Sequence, residues 1–244
     1  MTLAHPSSAA IWHDLECGGY AEDLPLWRAL AGEARGPVLD VGAGTGRVTL
    51  DLAARGAEVT ALDVDAELLE ELARRAAGLP VRTIATDARA LAVEDRFALV
   101  LLPMQTLQLM DGPEGRAAFV RAAHEHLVPG GLLAAALADA MECFDDEHPL
   151  LPPPDACERD GVRYISQLVD VVDEGGRAAL HRVRETVVDG RHDFAASVVH
   201  VDRVGPREVE AEAAAVGFVV EPARAIPETE AYLGATVVML RRGA

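Results

Sequence analysis

Between residues 37 and 138 short apolar runs alternate with stretches of helical spacing, and this alternation constrains the chain more than any other feature. "PVLDV" (37–41), "EVTALDV" (58–64), "VRTIAT" (81–86), "FALVLLP" (97–103) and "LLAAALA" (132–138) read as buried strands. Between them, "GRVTLDLAARG" (46–56), "AELLEELARRAAG" (66–78) and "EGRAAFVRAAHEHL" (114–127) read as helices, the last followed by a turn at "VPGG" (128–131). Strands alternating with helices over short connections imply parallel pairing, because returning the chain to the same direction takes a long crossover that a helix covers. The fourth run is apolar at almost every position, as a strand covered on both faces must be. A helix is expected at "PREVEAEAAAVG" (206–217), with Pro206 in its first turn and Gly217 beyond its end. Two strands follow, "FVVEPARAI" (218–226) and "TVVMLRR" (236–242). The expected fold is α/β, a Rossmann-like doubly wound seven-stranded sheet.

The rhythm changes after residue 138. "DDEHPLLPPPDACERDG" (145–161) is proline-rich and acidic and reads as a loop or lid. Residues 162–172, 177–188 and 192–204 alternate or are rich in β-branched residues, separated by "DEGG" and "DGR". Asp-Gly between such runs is a hairpin signal, so an inserted three-strand antiparallel meander is expected. The chain divides into cap helices over 1–35, the Rossmann-like core over 36–138, lid and insertion over 139–204, and the rest of the core over 205–244. "IWHDLECGGYAEDLPLW" (11–27) reads as the cap helix.

The stretch "VLDVGAGTGR" (38–47) has the strand, tight glycine turn and helix start of a nucleotide-binding turn. A P-loop would need a lysine after its glycines, and the chain contains none: all 22 of its basic residues are arginine. A dinucleotide fold wants G-x-G-x-x-G, but Gly42, Gly44 and Gly46 are spaced G-x-G-x-G, and Arg47 stands where Gly or Ala is required. Asp40, two residues before the first glycine, would oppose a pyrophosphate. It suits a ligand that carries an ammonium group and no phosphate, such as S-adenosylmethionine.

The run Asp40-x-Gly42-x-Gly44-x-Gly46 resembles motif I of the class I S-adenosylmethionine-dependent methyltransferases. Three further stretches resemble that family in register: "ALDVD" with Asp63, "TDA" (86–88), and "HLVPGGLL" (126–133). The resemblance covers about 36–138 and 206–242. It implies S-adenosyl-L-methionine as cofactor and S-adenosyl-L-homocysteine as product. It places Asp40, Gly42, Ala43 and Gly44 at the cofactor, Asp63 on the ribose hydroxyls, and Val64 on the adenine face. Asp87 would read the adenine amino group with the Ala88 N–H donating to the ring, and Pro103 would lie near the cofactor at the end of the fourth strand. Asp63 and Asp87 could equally be helix caps. Tyr20 and His13 in the cap, and Gln105 after the fourth strand, are the candidates to face the methyl group, Tyr20 also as a cofactor contact. Trp12, Trp27 and a solvated His13 could instead simply build the cap, and Gln105 could satisfy loop backbone. The insertion resembles that of small-molecule and sugar N-methyltransferases. That likeness implies pocket residues among Glu142, His148 and Tyr164, and a homodimer contact through the inserted sheet.

Methyl transfer from a sulfonium is an in-line displacement. The protein has chiefly to align the acceptor and exclude water, and a base is needed only for a protonated acceptor. "PMQT" (103–106) replaces the Asn/Asp-Pro-Pro-aromatic run of base- and glutamine-methylating enzymes. Forty acidic against 22 basic residues, a net charge of −18, also disfavour a nucleic-acid substrate. "HEH" (124–126) spaces its imidazoles onto different helix faces, so no metal is expected. Cys17, Cys143 and Cys157 form no CxxC, and no leader or membrane span is evident. A cytoplasmic methyltransferase of a small-molecule N or O acceptor is the leading reading. A non-catalytic S-adenosylmethionine-binding protein and an NAD(P)-dependent oxidoreductase are the alternatives.

Overall fold

The computed structural model describes residues 7–138, 152–229 and 234–243. Five strands, β1 (Val38–Val41), β2 (Val59–Asp63), β3 (Val81–Ala85), β4 (Phe97–Leu102) and β5 (Leu127–Leu137), pair in parallel. The antiparallel pair β10 (Phe218–Ile226) and β11 (Ala235–Arg242) completes a seven-stranded sheet of order β10-β11-β5-β4-β1-β2-β3. Alternation along the strands sorts side chains onto two faces. Leu39, Val100, Leu102 and Leu133 meet α5 (Gly112–His126) and α6 (Pro206–Val216) on one side. Val38, Leu99, Leu101 and Ala134 meet Trp27 and Leu30 of α2 (Leu24–Ala34), and Val48 and Leu52 of α3 (Arg47–Ala53), on the other. Helix α4 (Ala66–Arg75) starts at Asp65, whose carboxylate accepts from the Glu67 and Leu68 N–H groups. Strand order reverses at β1, which lies between β2 and β4. Open α/β sheets form their ligand crevice at the carboxyl ends of the strands at such a point.

The insertion is a four-stranded antiparallel sheet rather than the expected three-strand meander: β6 (Asp155–Arg159), β7 (Val162–Asp173), β8 (Arg177–Val188) and β9 (Arg191–Asp202). Strand β6 falls in the segment expected to be loop. Its sequence, DACER, is polar and short, and pairing with β7 makes it a strand. Asp189 and Gly190 both take positive φ, as the two-residue β8–β9 hairpin requires.

Two further expectations are corrected. The turn at 128–131 is a bulge within β5, since pairing jumps from Phe97–Leu127 to Leu99–Leu132, with Gly130 at φ +75°. The stretch 11–27 is not one helix: it runs from within α1 (Ser8–Cys17), capped by the Ser7 hydroxyl, into the start of α2. Glu142 and His148 lie outside the described residues. Among the described residues no helix is long and apolar enough to cross a membrane.

Candidate functional site

The glycine turn follows β1 and gives away its N–H groups at once. Gly42 and Ala43 both donate to the Leu62 carbonyl (2.8 and 3.0 Å), and Gly44 donates to Asp63 Oδ2 (2.8 Å). Each glycine takes positive φ, and each admits a neighbour that a Cβ would strike: Thr106 at Gly42, the His13 imidazole at Gly44, and Leu72 of α4 at Gly46. The turn is therefore packed beneath the loop after β4, beneath α1 and against α4. The N–H groups of Gly42, Ala43 and Gly44 are thus turned inward, away from a phosphate that a turn of free N–H groups would cradle.

Acids surround it. Asp40 shares the face of Val38 and is buried; its Oδ2 accepts from the Thr49 hydroxyl at 2.6 Å, while Oδ1 is buried with no hydrogen-bond partner among the described residues. Burial pushes its carboxyl from the ordinary 3.8 up to about 6, against the pull of Thr49 and Arg47. Asp63, at the end of β2, accepts from Gly44 and, through Oδ1, from the Asp65 N–H (3.0 Å). The cap of α4 is Asp65, so Asp63 is not the helix cap it could have been. Val64, the residue after β2, is 77 % exposed.

At the end of β3, Asp87 takes the capping geometry. It accepts from the Arg89 N–H at the start of a 3-10 turn over Ala88–Ala90 and pairs with the Arg89 guanidinium at 2.7 Å, which holds its carboxyl below the usual range. Ala88 opens that turn, leaving its N–H outside the helical ladder. After β4, the buried Pro103 carbonyl accepts from the Thr106 hydroxyl at 2.8 Å. Met104 takes a positive φ, and Gln105 precedes a 3-10 turn over Thr106–Leu109.

Helix α1 covers the turn. His13 approaches Thr45 (Nδ1 to Oγ1, 3.2 Å), and Asp14 accepts from the Thr45 hydroxyl (2.7 Å) and pairs with Arg75 of α4 at 2.5 Å. On its other side Glu16 binds Arg184 and Ser166 of the inserted sheet, all at 2.7 Å, while Trp12 meets the Tyr164 ring edge-on at 5.2 Å. Tyr20 is buried; Arg47 lies over its ring, 5.2 Å from the centroid, and donates to its carbonyl. Arg47 also grips the fully buried Asp23 at 2.6 Å, so the cation that spoils a dinucleotide motif here fastens α2 to α3. Thus Asp40, Gly42, Ala43, Gly44, Asp63, Val64 and His13 come together. Asp87, Ala88, Pro103 and Gln105 border them along the strand ends, and Tyr20 belongs to the packing beneath α2. Sequence reasoning missed Asp14, Thr45 and Thr49. Thr45 lies inside the glycine run itself, but a threonine there carries no signature of its own. The "HEH" imidazoles are structural: His126 accepts from the Val93 N–H and meets the Ala122 carbonyl, and His124 stands edge-on to Phe218.

Residues 38–131 match the family described as "Methyltransferase domain". A curated relative, the cypemycin N-terminal methyltransferase of a Streptomyces species, is 32 % identical over 108 residues. That match covers 44 % of this chain and 42 % of the relative, so it spans less than half of the relative's length. The sugar N-methyltransferase KedS8 of Streptoalloteichus sp ATCC 53650 shares the fold with a TM-score of 0.76 at 19 % identity, over 99 % of this chain and 96 % of that one. DesVI of Streptomyces venezuelae shares it with a TM-score of 0.71 at 22 % identity, over 96 % and 99 %. CalS10, an amino pentose methyltransferase from Micromonospora echinaspora solved with S-adenosylmethionine bound, does so with a TM-score of 0.69 at 19 % identity, over 99 % and 100 %.

Proposed function

We propose that this chain, whose methyltransferase domain at 38–131 sits in a class I methyltransferase fold, transfers a methyl group from S-adenosyl-L-methionine to a nitrogen or oxygen of a small-molecule acceptor. The observation that carries the reading is the charge pattern of the glycine turn. The N–H groups of Gly42, Ala43 and Gly44 are spent on Leu62 and Asp63, and Asp14, Asp40 and Asp63 stand around the turn. A pyrophosphate would meet carboxylates there and few donors. A ligand with an ammonium group, a ribose diol and no phosphate would meet acceptors.

The residues fit such a ligand. The partnerless Asp40 Oδ1 is an acceptor awaiting a donor behind the turn. Each Asp63 oxygen retains a lone pair for a ribose hydroxyl after accepting one backbone N–H. Val64 offers an apolar surface to the adenine, and Asp87 with the Ala88 N–H borders the place of its polar edge. His13, Pro103 and Gln105 border the side left for the methyl-bearing end, with Tyr20 packed behind α2 and not in contact with it. When bound, the cofactor supplies an activated methyl; the chain supplies alignment and exclusion of water, with α1 as the cover.

The acidic surface argues against nucleic acid as acceptor, and the methyltransferase neighbours support a small molecule. A cytoplasmic location and a homodimer through the inserted sheet complete the reading. Exposed apolar residues on the outer face of that sheet support the second.

Calorimetric titration with S-adenosylhomocysteine, with NADH as control, tests the cofactor assignment. Micromolar binding that Asp63→Ala weakens about 10- to 100-fold is expected, the range of a hydrogen bond to a charged group. Heat with NADH and none with S-adenosylhomocysteine would replace the methyltransferase by the dinucleotide reading.

A further inference from the structure

Two carboxylates hold α1 in place, Asp14 toward the core and Glu16 toward the inserted sheet, and between these anchors His13 lies on Gly44. Thr45 is buried and its hydroxyl has one proton, which goes to Asp14 Oδ1 at 2.7 Å. Burial works against charge on Asp14, but the bonds from Arg75 (2.9 and 2.5 Å) and Thr45 outweigh it and hold its carboxyl below the ordinary range. A carboxylate has no proton to return. Thr45 Oγ1 can therefore meet His13 Nδ1, 3.2 Å away, only by accepting. Nδ1 must carry the hydrogen, and in a neutral ring Nε2 is then a bare lone pair.

The ring's surroundings favour neutrality. Burial lowers its pKa and Arg75 adds to that, against the opposite pull of Asp63, Asp14 and Glu16; the outcome is below the ordinary 6.5. Nε2 has no hydrogen-bond partner among the described residues, and it borders the glycine at which a Cβ would collide with the ring. An acceptor left unbonded in a half-buried ring is open to a donor from a ligand or from water.

We propose that Asp14 and Thr45 are positioning residues that fix the Nδ1–H tautomer of His13, so that Nε2 stands over the glycine turn as a hydrogen-bond acceptor for an N–H or O–H group of the ligand bound there. This rests on the cofactor reading above. In S-adenosylhomocysteine such groups are the α-ammonium, the ribose hydroxyls and the adenine amino group. The arrangement makes α1 a part of the binding site, with its orientation set by a threonine inside the glycine motif.

Two readouts on the full chain test it. Two-bond proton–nitrogen correlations of the imidazoles, in the ligand-free protein at pH 7.5, report the tautomer directly. Protonated Nδ1 and bare Nε2 are expected in the unaltered chain and in Thr45→Ser, with mixed tautomers in Thr45→Val. In calorimetry with S-adenosylhomocysteine, Thr45→Ser should bind as the unaltered chain does, and Thr45→Val and His13→Leu should each bind about tenfold more weakly. The double variant should bind no more weakly than His13→Leu alone. Methylthioadenosine, which lacks the amino-acid portion, narrows the donor: a loss that persists assigns the nucleoside (its ribose or its adenine amino group), and one that vanishes assigns the ammonium. An Nε2–H or doubly protonated ring in the unaltered chain would overturn the proposal, as would a Thr45→Val effect that is undiminished in the His13→Leu background. Expected tautomer without any S-adenosylhomocysteine binding would refute the cofactor reading and the acceptor role together, while leaving the tautomer established.

Discussion

Burial sets Asp40 apart from the other acids of the site. Its carboxyl is held at about 6 against an ordinary 3.8, so between those values the folded chain keeps a proton that the unfolded chain has released. Stability from this group is therefore present below about pH 4 and lost as pH rises through 6, and the full loss corresponds to about 3 kcal/mol. Asparagine keeps an acceptor for Thr49 without the charge. Asp40→Asn is expected to match the unaltered chain in thermal unfolding at pH 4, to exceed it increasingly up to pH 7.5, and to bind S-adenosylhomocysteine at least tenfold more weakly. A variant that melts below the unaltered chain at pH 7.5 would show that the charge is compensated in the folded state. This position was legible in the sequence because an acid before a glycine turn has few other uses. Thr49, its partner, was not, since one threonine in an amphipathic helix looks like any other. Asp87 was half legible: an acid at a strand end caps as readily as it binds.

Among the elements, α1 matters most, because its contacts reach in two directions. Asp14 and His13 bind it to the turn and α4, while Glu16, Trp12 and the Arg184 stack over Trp12 bind it to the inserted sheet. Burial raises the Glu16 pKa, but Arg184 and Ser166 outweigh it, and the carboxyl titrates below its ordinary 4.5. The stabilisation is thus present above about pH 4.5 and lost on acidification below it. Glu16→Gln should cost about 1–3 kcal/mol, the cost of weakening a half-buried charged hydrogen bond. Amide exchange in α1 should accelerate while that of β1, β4 and β5 does not change. Uniform acceleration would mean that the clasp supports the global fold and not the cover alone. None of these pairings could be read from sequence, since Glu16 and Arg184 are 168 residues apart. The helices and core strands were legible because burial and period coincide there. Strand β6 and the bulge in β5 were not, because pairing with a neighbour, and not their own composition, makes them extended.

At the scale of the whole molecule the seven-stranded sheet was expected, but not the placing of β11 antiparallel between β5 and β10, which depends on chain crossovers that leave no periodic trace. The consequence with most bearing on assembly lies in the second sheet. Ser166, Arg184 and Tyr164 point one way, toward α1. By strand alternation, Ile165, Val183, Phe194, Ala196 and Val198 point the other way, Phe194 opposite Glu185 and Val198 opposite His181. Phe194 is 62 % exposed and Val198 44 %, apolar side chains set among Glu185 and His181 on the outer face of a chain that carries a net charge of −18. Self-repulsion would keep such a chain apart unless apolar burial outweighed it, so association should strengthen with salt as the charges are screened. Light scattering during gel filtration should give a mass near twice 25.9 kDa for the unaltered chain. Phe194→Asp, placing a charge where an anchor would pack, should give 25.9 kDa with an unchanged circular dichroism spectrum. Raising the salt should restore little of the dimer, because the introduced carboxylate has to be desolvated as well as screened. If the variant remains dimeric, the subunits meet elsewhere; if the unaltered chain is monomeric at micromolar concentration in both low and high salt, the outer face of the sheet does not join two copies.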